Sequence, residues 1–198
     1  MARKVQISKE VILQAALELL IESGYSAINI KTLSQKIGCS TQPLVWHFEN
    51  MNELRKALAD YALCYANRRM EPTGDSETDP FEQVGKAYVK MALYEPHLFQ
   101  FLYLNDSKCY PAGDADMLVE EKDNAELIKM ISGKYQITEL AASQYFQDTL
   151  IYTHGIAAFV ATGMMKLSEG EMMAMINRAG DNFLMQAGVS PDRISRQR

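Results

Sequence analysis

Ser40, Thr41 and Gln42 stand in a row, and Trp46 and His47 follow one helical turn later. Two hydroxyls and a primary amide are groups that hydrogen-bond to base edges. Glutamine pairs with the N6/N7 edge of adenine, and threonine bonds a base or touches a thymine methyl. At the start of a helix these three also lie beside free backbone N–H groups and the positive end of the helix dipole, which favour a phosphate. Trp46 offers an aromatic face to pack on a sugar-phosphate or to rim a small core. His47 offers a donor for a phosphate or a ring that closes that core.

Reaction chemistry has no comparable signal. The patterns GxGxxG, GxxxxGK, HExxH and GxSxG are missing. The histidines at 47, 97 and 154 have no metal-ligand spacing with one another or with a cysteine. Cys39, Cys64 and Cys109 are odd in number without a CxxC, so reduced thiols acting as small apolar residues are expected. Glu120 and Glu121 read as a solvated helix face. The chain is expected not to be an enzyme, and neither metal nor cofactor is expected.

The elements that must hold residues 40–47 are helical. Val11, Ile12, Ala15, Ala16, Leu19 and Leu20 recur at three- and four-residue steps and predict a helix over 9–23, capped by Ser8 and stopped by Gly24. A second helix is expected over 30–37, with Asn29 as cap and Gly38 as stop. A third begins after Ser40, carries Pro43 in its first turn, and runs to about Phe48. Asn50 caps a fourth, with Glu53 placed for a capping box, reaching about Met70. Two short helices about a glycine turn, preceded by a longer one, form a helix-turn-helix, whose second helix enters the DNA major groove. Leu33, Ile37, Leu44 and Phe48 are spaced to build the core joining them, and Gly38 suits a positive φ.

The pattern stays helical beyond. Helices are expected over 81–94, 97–104, 117–132, 138–167 and 168–187, making nine in an all-α chain. Polar loops are expected over 71–80 and 105–116, and the tail SPDRISRQR reads as frayed. A domain boundary is expected at 49/50, with 1–49 a DNA-binding head and 50–198 a body, the helix over 50–70 connecting them. Charge follows this division. Arg3, Lys4, Lys9, Lys31, Lys36, Arg55 and Lys56 against Glu10, Glu18, Glu22, Glu49 and Glu53 give residues 1–56 a net +2, leaving −7 for the rest of a chain of net −5. That balance argues against indiscriminate nucleic-acid binding. With 47% hydrophobic and 23% charged residues the chain has the composition of a folded protein. The start MARKVQISKE lacks an apolar core and cleavage site, and no apolar run reaches the length of a membrane span, so a cytoplasmic location is expected.

The run NIKTLSQKIGCSTQPLVWHFENMNEL (29–54) resembles, without a gap, the DNA-binding domain of the TetR family of transcriptional repressors. Ile30, Leu33, Gly38, Ser40, Leu44, His47, Phe48 and Leu54 match its pattern, and the resemblance is close over about 7–56. MALYEPHLFQFLYL (91–104) and THGIAAFVATGM (153–164) resemble regulatory domains of some members more loosely. Four positions depart: Val45 stands where a phosphate-anchoring tyrosine is common, Gln42 for glycine, Met51 for a basic residue and Cys39 for valine. Each lost phosphate contact lowers the salt slope by about one unit. Backbone contacts then fall to Lys31, the Arg3–Lys4 arm, Asn50 and Asn52. The DNA-binding set is Lys4, Asn29, Lys31, Ser40, Thr41, Gln42, Pro43, Trp46, His47 and Asn52.

In the body, Tyr88, His97, Phe99, Tyr103, Tyr152, His154 and Phe159 are expected to face inward, lining a ligand cavity or forming ordinary core. Six methionines crowd the last two helices, suiting a plastic pocket, an interface or plain core. Small residues at Gly155, Ala157, Ala158, Ala161 and Gly163, with a stripe at Met172, Ile176, Ala179, Phe183 and Ala187, suit a four-helix bundle across a two-fold axis. The resemblance implies the same: a homodimer through helices of about 138–187, a double-stranded DNA operator, and an unknown small-molecule effector that releases a repressor. The competing expectation is a ligand-binding or protein-interaction dimer whose head has weakened.

Overall fold

Ser8 turns the chain into its first helix: its backbone is extended (φ −80°, ψ 160°) and its Oγ accepts from the Val11 N–H at 3.3 Å. The computed structural model describes residues 7–72, 79–104 and 122–196. Arg3, Lys4 and Cys109, most of the 71–80 loop, the loop over 105–116 and the start of the helix expected from 117 lie outside them. No strand occurs among the described residues. The chain packs as two units, Met1–Glu71 with Tyr94–Tyr110, and Pro72–Leu93 with Pro111–Arg198.

The first unit contains α1 (Lys9–Ser23), α2 (Ile30–Ile37), α3 (Gln42–His47), α4 (Met51–Met70) and α6 (Pro96–Phe99). A π-helical turn over Gln100–Leu104 extends α6. α1 packs against α2, α3, α4 and α6. It buries Ile12, Ala16 and Leu20 completely, and α4 contributes Leu58, Ala62 and Ala66 at four-residue steps. Gly24 ends α1 at φ 79°, ψ 168°, a region open essentially to glycine. A Cβ there would also lie 3.3 Å from Nδ1 of His97. Gly24→Ala is expected to cost about 1–3 kcal/mol, lowering the thermal unfolding midpoint by roughly 2–12 °C.

α5 (Pro80–Tyr94) leads into the second unit, with α7 (Lys122–Tyr135), α8 (Glu139–Ala161), α9 (Glu169–Gln186) and α10 (Pro191–Arg196). Two apolar clusters hold it. Ile128, Ile131, Tyr145, Phe146, Leu184 and Ile194 belong to one; Val89, Ile156, Met172 and Ile176 form the other. Asp79 accepts from Lys134, tying the start of α5 to α7.

Three expectations need correction. α8 stops at Ala161 rather than 167: Thr162 Oγ1 donates to Ala158 O at 2.7 Å, Gly163 adopts φ 74°, and Ser168 then caps α9 with a full capping box to Glu171. α7 runs through Gly133 to Tyr135, and the turn waits for Gln136 at φ 47°. The tail is not frayed over 191–196. Gly188 at φ 90° turns the chain back, Val189 and Ile194 enter the core, and Arg193 donates to Gln136. The described residues therefore form ten α-helices, the addition being α10.

Candidate nucleic-acid interface

The site is built on the joint between α2 and α3. Asn29 is extended at φ −150°, and its Oδ1 accepts from the Lys31 and Thr32 N–H groups, each at 3.0 Å. Thr32 Oγ1 accepts in return from the Asn29 N–H at 3.0 Å. Asn29 is thus a cap and is exposed. Gly38 takes the left-handed conformation (φ 73°, ψ 34°), and its N–H donates to the Ser34 and Gln35 carbonyls. That turn brings Leu33, Leu44 and Phe48 inward, while Ile37 is half-buried.

The opposite face of α3 is left to solvent. Ser40, Thr41, Gln42, Val45 and Trp46 are exposed, Val45 by 55% and Trp46 by 70%, while Pro43 is half-buried in the first turn. Thr41 gives α3 no side-chain cap. His47 is exposed, and its Nε2 lies 2.9 Å from the carbonyl oxygen of Ile7. It therefore neither closes the core nor points away from the protein, but ties the chain entering α1 to the end of α3. Asn50 caps α4, its Oδ1 accepting from Asn52 and Glu53 at 2.9 and 3.1 Å. The capping box is half-made, because the Glu53 carboxylate accepts from Lys56 instead. Asn52 is exposed beside it.

Most described cations of residues 7–56 are engaged. Lys36 Nζ lies 3.2 Å from both Glu18 and Glu22 of α1, and the hydrogen bond to Glu22, then that to Glu18, holds its pKa above the usual lysine value. Lys9 lies over the Phe48 ring and Arg55 over the Tyr25 ring, at 5.3 and 4.9 Å. Lys31 is exposed and has no ion pair or ring contact among the described residues. An arrangement the spacing did not signal closes this unit. Glu95, just before Pro96, accepts from Arg69 at 2.7 Å and from Tyr65 Oη at 3.1 Å. Tyr65 and Arg69 are one turn apart on α4, but nothing in their spacing points thirty residues ahead.

The seven expected ligand residues fall into two sets. His97, Phe99 and Tyr103 belong to the first unit: Phe99 is fully buried against Tyr103, and His97 is exposed. Tyr88, Tyr152, His154 and Phe159 belong to the second. Phe159 is 46% exposed and does not face inward as expected, because α8 turns Ile156 and Ala157 to the core instead. Tyr88 Oη and His154 Nδ1 are hydrogen-bonded at 2.6 Å, and Tyr152 packs edge-on against Phe183.

Burial pushes the His154 ring below its usual 6.5. Between that value and the lowered native one, the unfolded chain binds the proton and the folded chain does not. Stability from this group is full above about pH 6.5 and declines as pH falls toward the native value. Thermal unfolding of the wild type and His154→Gln from about pH 7.5 to 5.5 checks this: the wild-type advantage is expected to shrink on acidification.

Residues 12–58 match the model for bacterial regulatory proteins of the tetR family. The chain is 29% identical over 76 residues to the class C tetracycline repressor protein of Escherichia coli, covering 38% of this chain and 35% of that protein. It is 39% identical over 54 residues to the class D tetracycline repressor of Escherichia coli, covering 27% and 25%. The matched segment thus spans about a third or less of these relatives. Among solved structures, a TetR variant from Acinetobacter baumannii AYE in complex with minocycline is similar at TM-score 0.57 and 19% identity, over 91% of this chain and 96% of that one. A TetR-like transcriptional regulator from Rhodococcus sp. RHA1 is similar at TM-score 0.56 and 16% identity, over 93% and 98%. At these identities the likeness concerns the fold.

Proposed function

We propose that the chain is a member of the TetR family of bacterial regulatory proteins, a repressor that binds a near-palindromic operator as a homodimer and is released by a small molecule. One observation carries the operator reading: α2 and α3 meet at a left-handed Gly38 with Leu33, Leu44 and Phe48 inside and Thr41, Gln42, Val45 and Trp46 outside. In that role α3 lies in the major groove. Gln42, with Ser40 and Thr41, faces base edges, and Trp46 packs on a sugar-phosphate. Lys31, with the exposed Asn29 and Asn52, meets the backbone, and His47 holds Ile7 at the entry to α1.

Dimerisation rests on a different face from the expected stripe, since Met172 and Ile176 are taken up in the chain's own core with Val89 and Ile156. On α8, Leu140, Ile151 and Phe159 are exposed by 83%, 55% and 46% along one side, and α9 adds Met185 at 42%. A second copy across a two-fold axis would cover this side. For the effector, Tyr88 and His154 supply a half-buried polar pair, suited to an aromatic or apolar ligand with one hydrogen-bonding group. Release requires that the ligand prefer the state whose heads no longer match successive major grooves. Turning a 1:99 balance into 99:1 takes a preference of about 10⁴-fold.

Fluorescence anisotropy against DNA from the protein's own upstream region, titrated with salt and competitor, tests the reading. Saturable binding that survives competitor and falls with salt is expected. Lys31→Ala should flatten the plot of log affinity against log salt by about 0.9 per contact, about 1.8 for a dimer. Binding no tighter than to competitor would count against this region as the operator; no selective binding to any duplex would end the operator reading.

A further inference from the structure

The face that α3 turns outward carries no charge. Between Gly38 and Asn50 there is no lysine or arginine at all. Thr41, Gln42, Val45 and Trp46 lie one turn apart or adjacent, and all are exposed. His47, the remaining candidate cation, has its Nε2 on the Ile7 carbonyl. The commonest specific contact in a major groove, arginine or lysine on guanine O6 and N7, is therefore unavailable from α3. The groups that are available match the other base pair. A glutamine amide fits adenine N6 and N7, and the methyls of Val45 and Thr41 fit the C5-methyl of thymine. Val45 matters most here, because a branched apolar side chain 55% exposed on a short helix has no packing role to account for it.

We infer that α3 reads an A·T-specified half-site, with Gln42 on an adenine and Val45 on a thymine methyl. This rests on the operator-binding reading and adds to it the identity of the bases read. The bidentate arginine or lysine contact to guanine is absent from α3.

The experiment is selection of the full-length protein on a randomised duplex library, followed by atom-level changes in the selected site. Enrichment of half-sites with adjacent A·T pairs is expected. Within them, exchanging one thymine for deoxyuridine, which lacks only the methyl, should weaken wild-type binding several-fold and leave Val45→Ala unaffected. Exchanging one adenine for 7-deazaadenine, which lacks only N7, should weaken the wild type and leave Gln42→Ala unaffected. Both side chains are exposed, and matching far-ultraviolet circular dichroism and unfolding midpoints confirm that the variants fold. A selected half-site whose α3-protected positions demand G·C, or a site indifferent to every deoxyuridine exchange, overturns the base assignment and leaves operator binding standing. No enriched sequence at all overturns the operator reading, and the base assignment with it.

Discussion

Leu33→Ala is expected to remove about 2–5 kcal/mol of stability and with it operator binding. Leu33 is the one α2 side chain with no exposed surface, and it lies on the side of α2 that meets α1. The joint around it is small. Leu44 and Phe48 are the inward residues of the six-residue α3 and its C-cap, and Ile37 is only half-buried. A void at Leu33 cannot be filled by collapse, because Gly38 fixes the turn and Asn29 fixes the start of α2. A helix as short as α3 has almost no stability of its own. The orientation of α3 therefore depends on this joint. Thermal unfolding should show the lower midpoint, and anisotropy on the selected duplex should show binding reduced by about the same free energy or more. An unchanged midpoint would mean that α2 and α3 are held by something other than their shared core.

The legible part of this fold was local. Ser8, Asn29 and Asn50 cap where their side chains said they should, and Gly24 and Gly38 take positive φ. Capping and turn chemistry are decided within four residues, so a sequence displays them. The misread parts depended on distant partners. Nothing in SPDRISRQR shows that Ile194 will join a core with Leu184 and Phe146, and a polar segment with one isoleucine reads as a tail. Phe159 and Met172 exchanged their expected places for a related reason. Periodicity identifies an apolar stripe but not which of two stripes on neighbouring helices meets the chain's own core. The outward face of α3 was legible by exclusion, since the core pattern Leu33, Leu44, Phe48 leaves Gln42 and Trp46 exposed. The Ile7 carbonyl that holds His47 was not, because a backbone acceptor forty residues away has no sequence signature.

Ile151→Lys is expected to convert the dimer to a monomer and to weaken operator binding by about three orders of magnitude or more. Ile151 lies midway along α8, between Leu140 and Phe159, and is 55% exposed in the single chain. In that chain a lysine there projects into water, so the fold itself is little affected. Across a two-fold axis the substitution appears twice. Two ammonium groups are then desolvated, each at an effective cost of several kcal/mol. Loss of the partner also removes the second half-site, and with it a large part of the binding free energy. Sedimentation velocity of the wild type and the variant separates the outcomes. A monomeric variant with an unchanged circular dichroism spectrum and weak DNA binding places the interface on this side of α8. A variant that stays dimeric with full affinity would move the interface to another face, and Met185 on α9 would be the next position to charge.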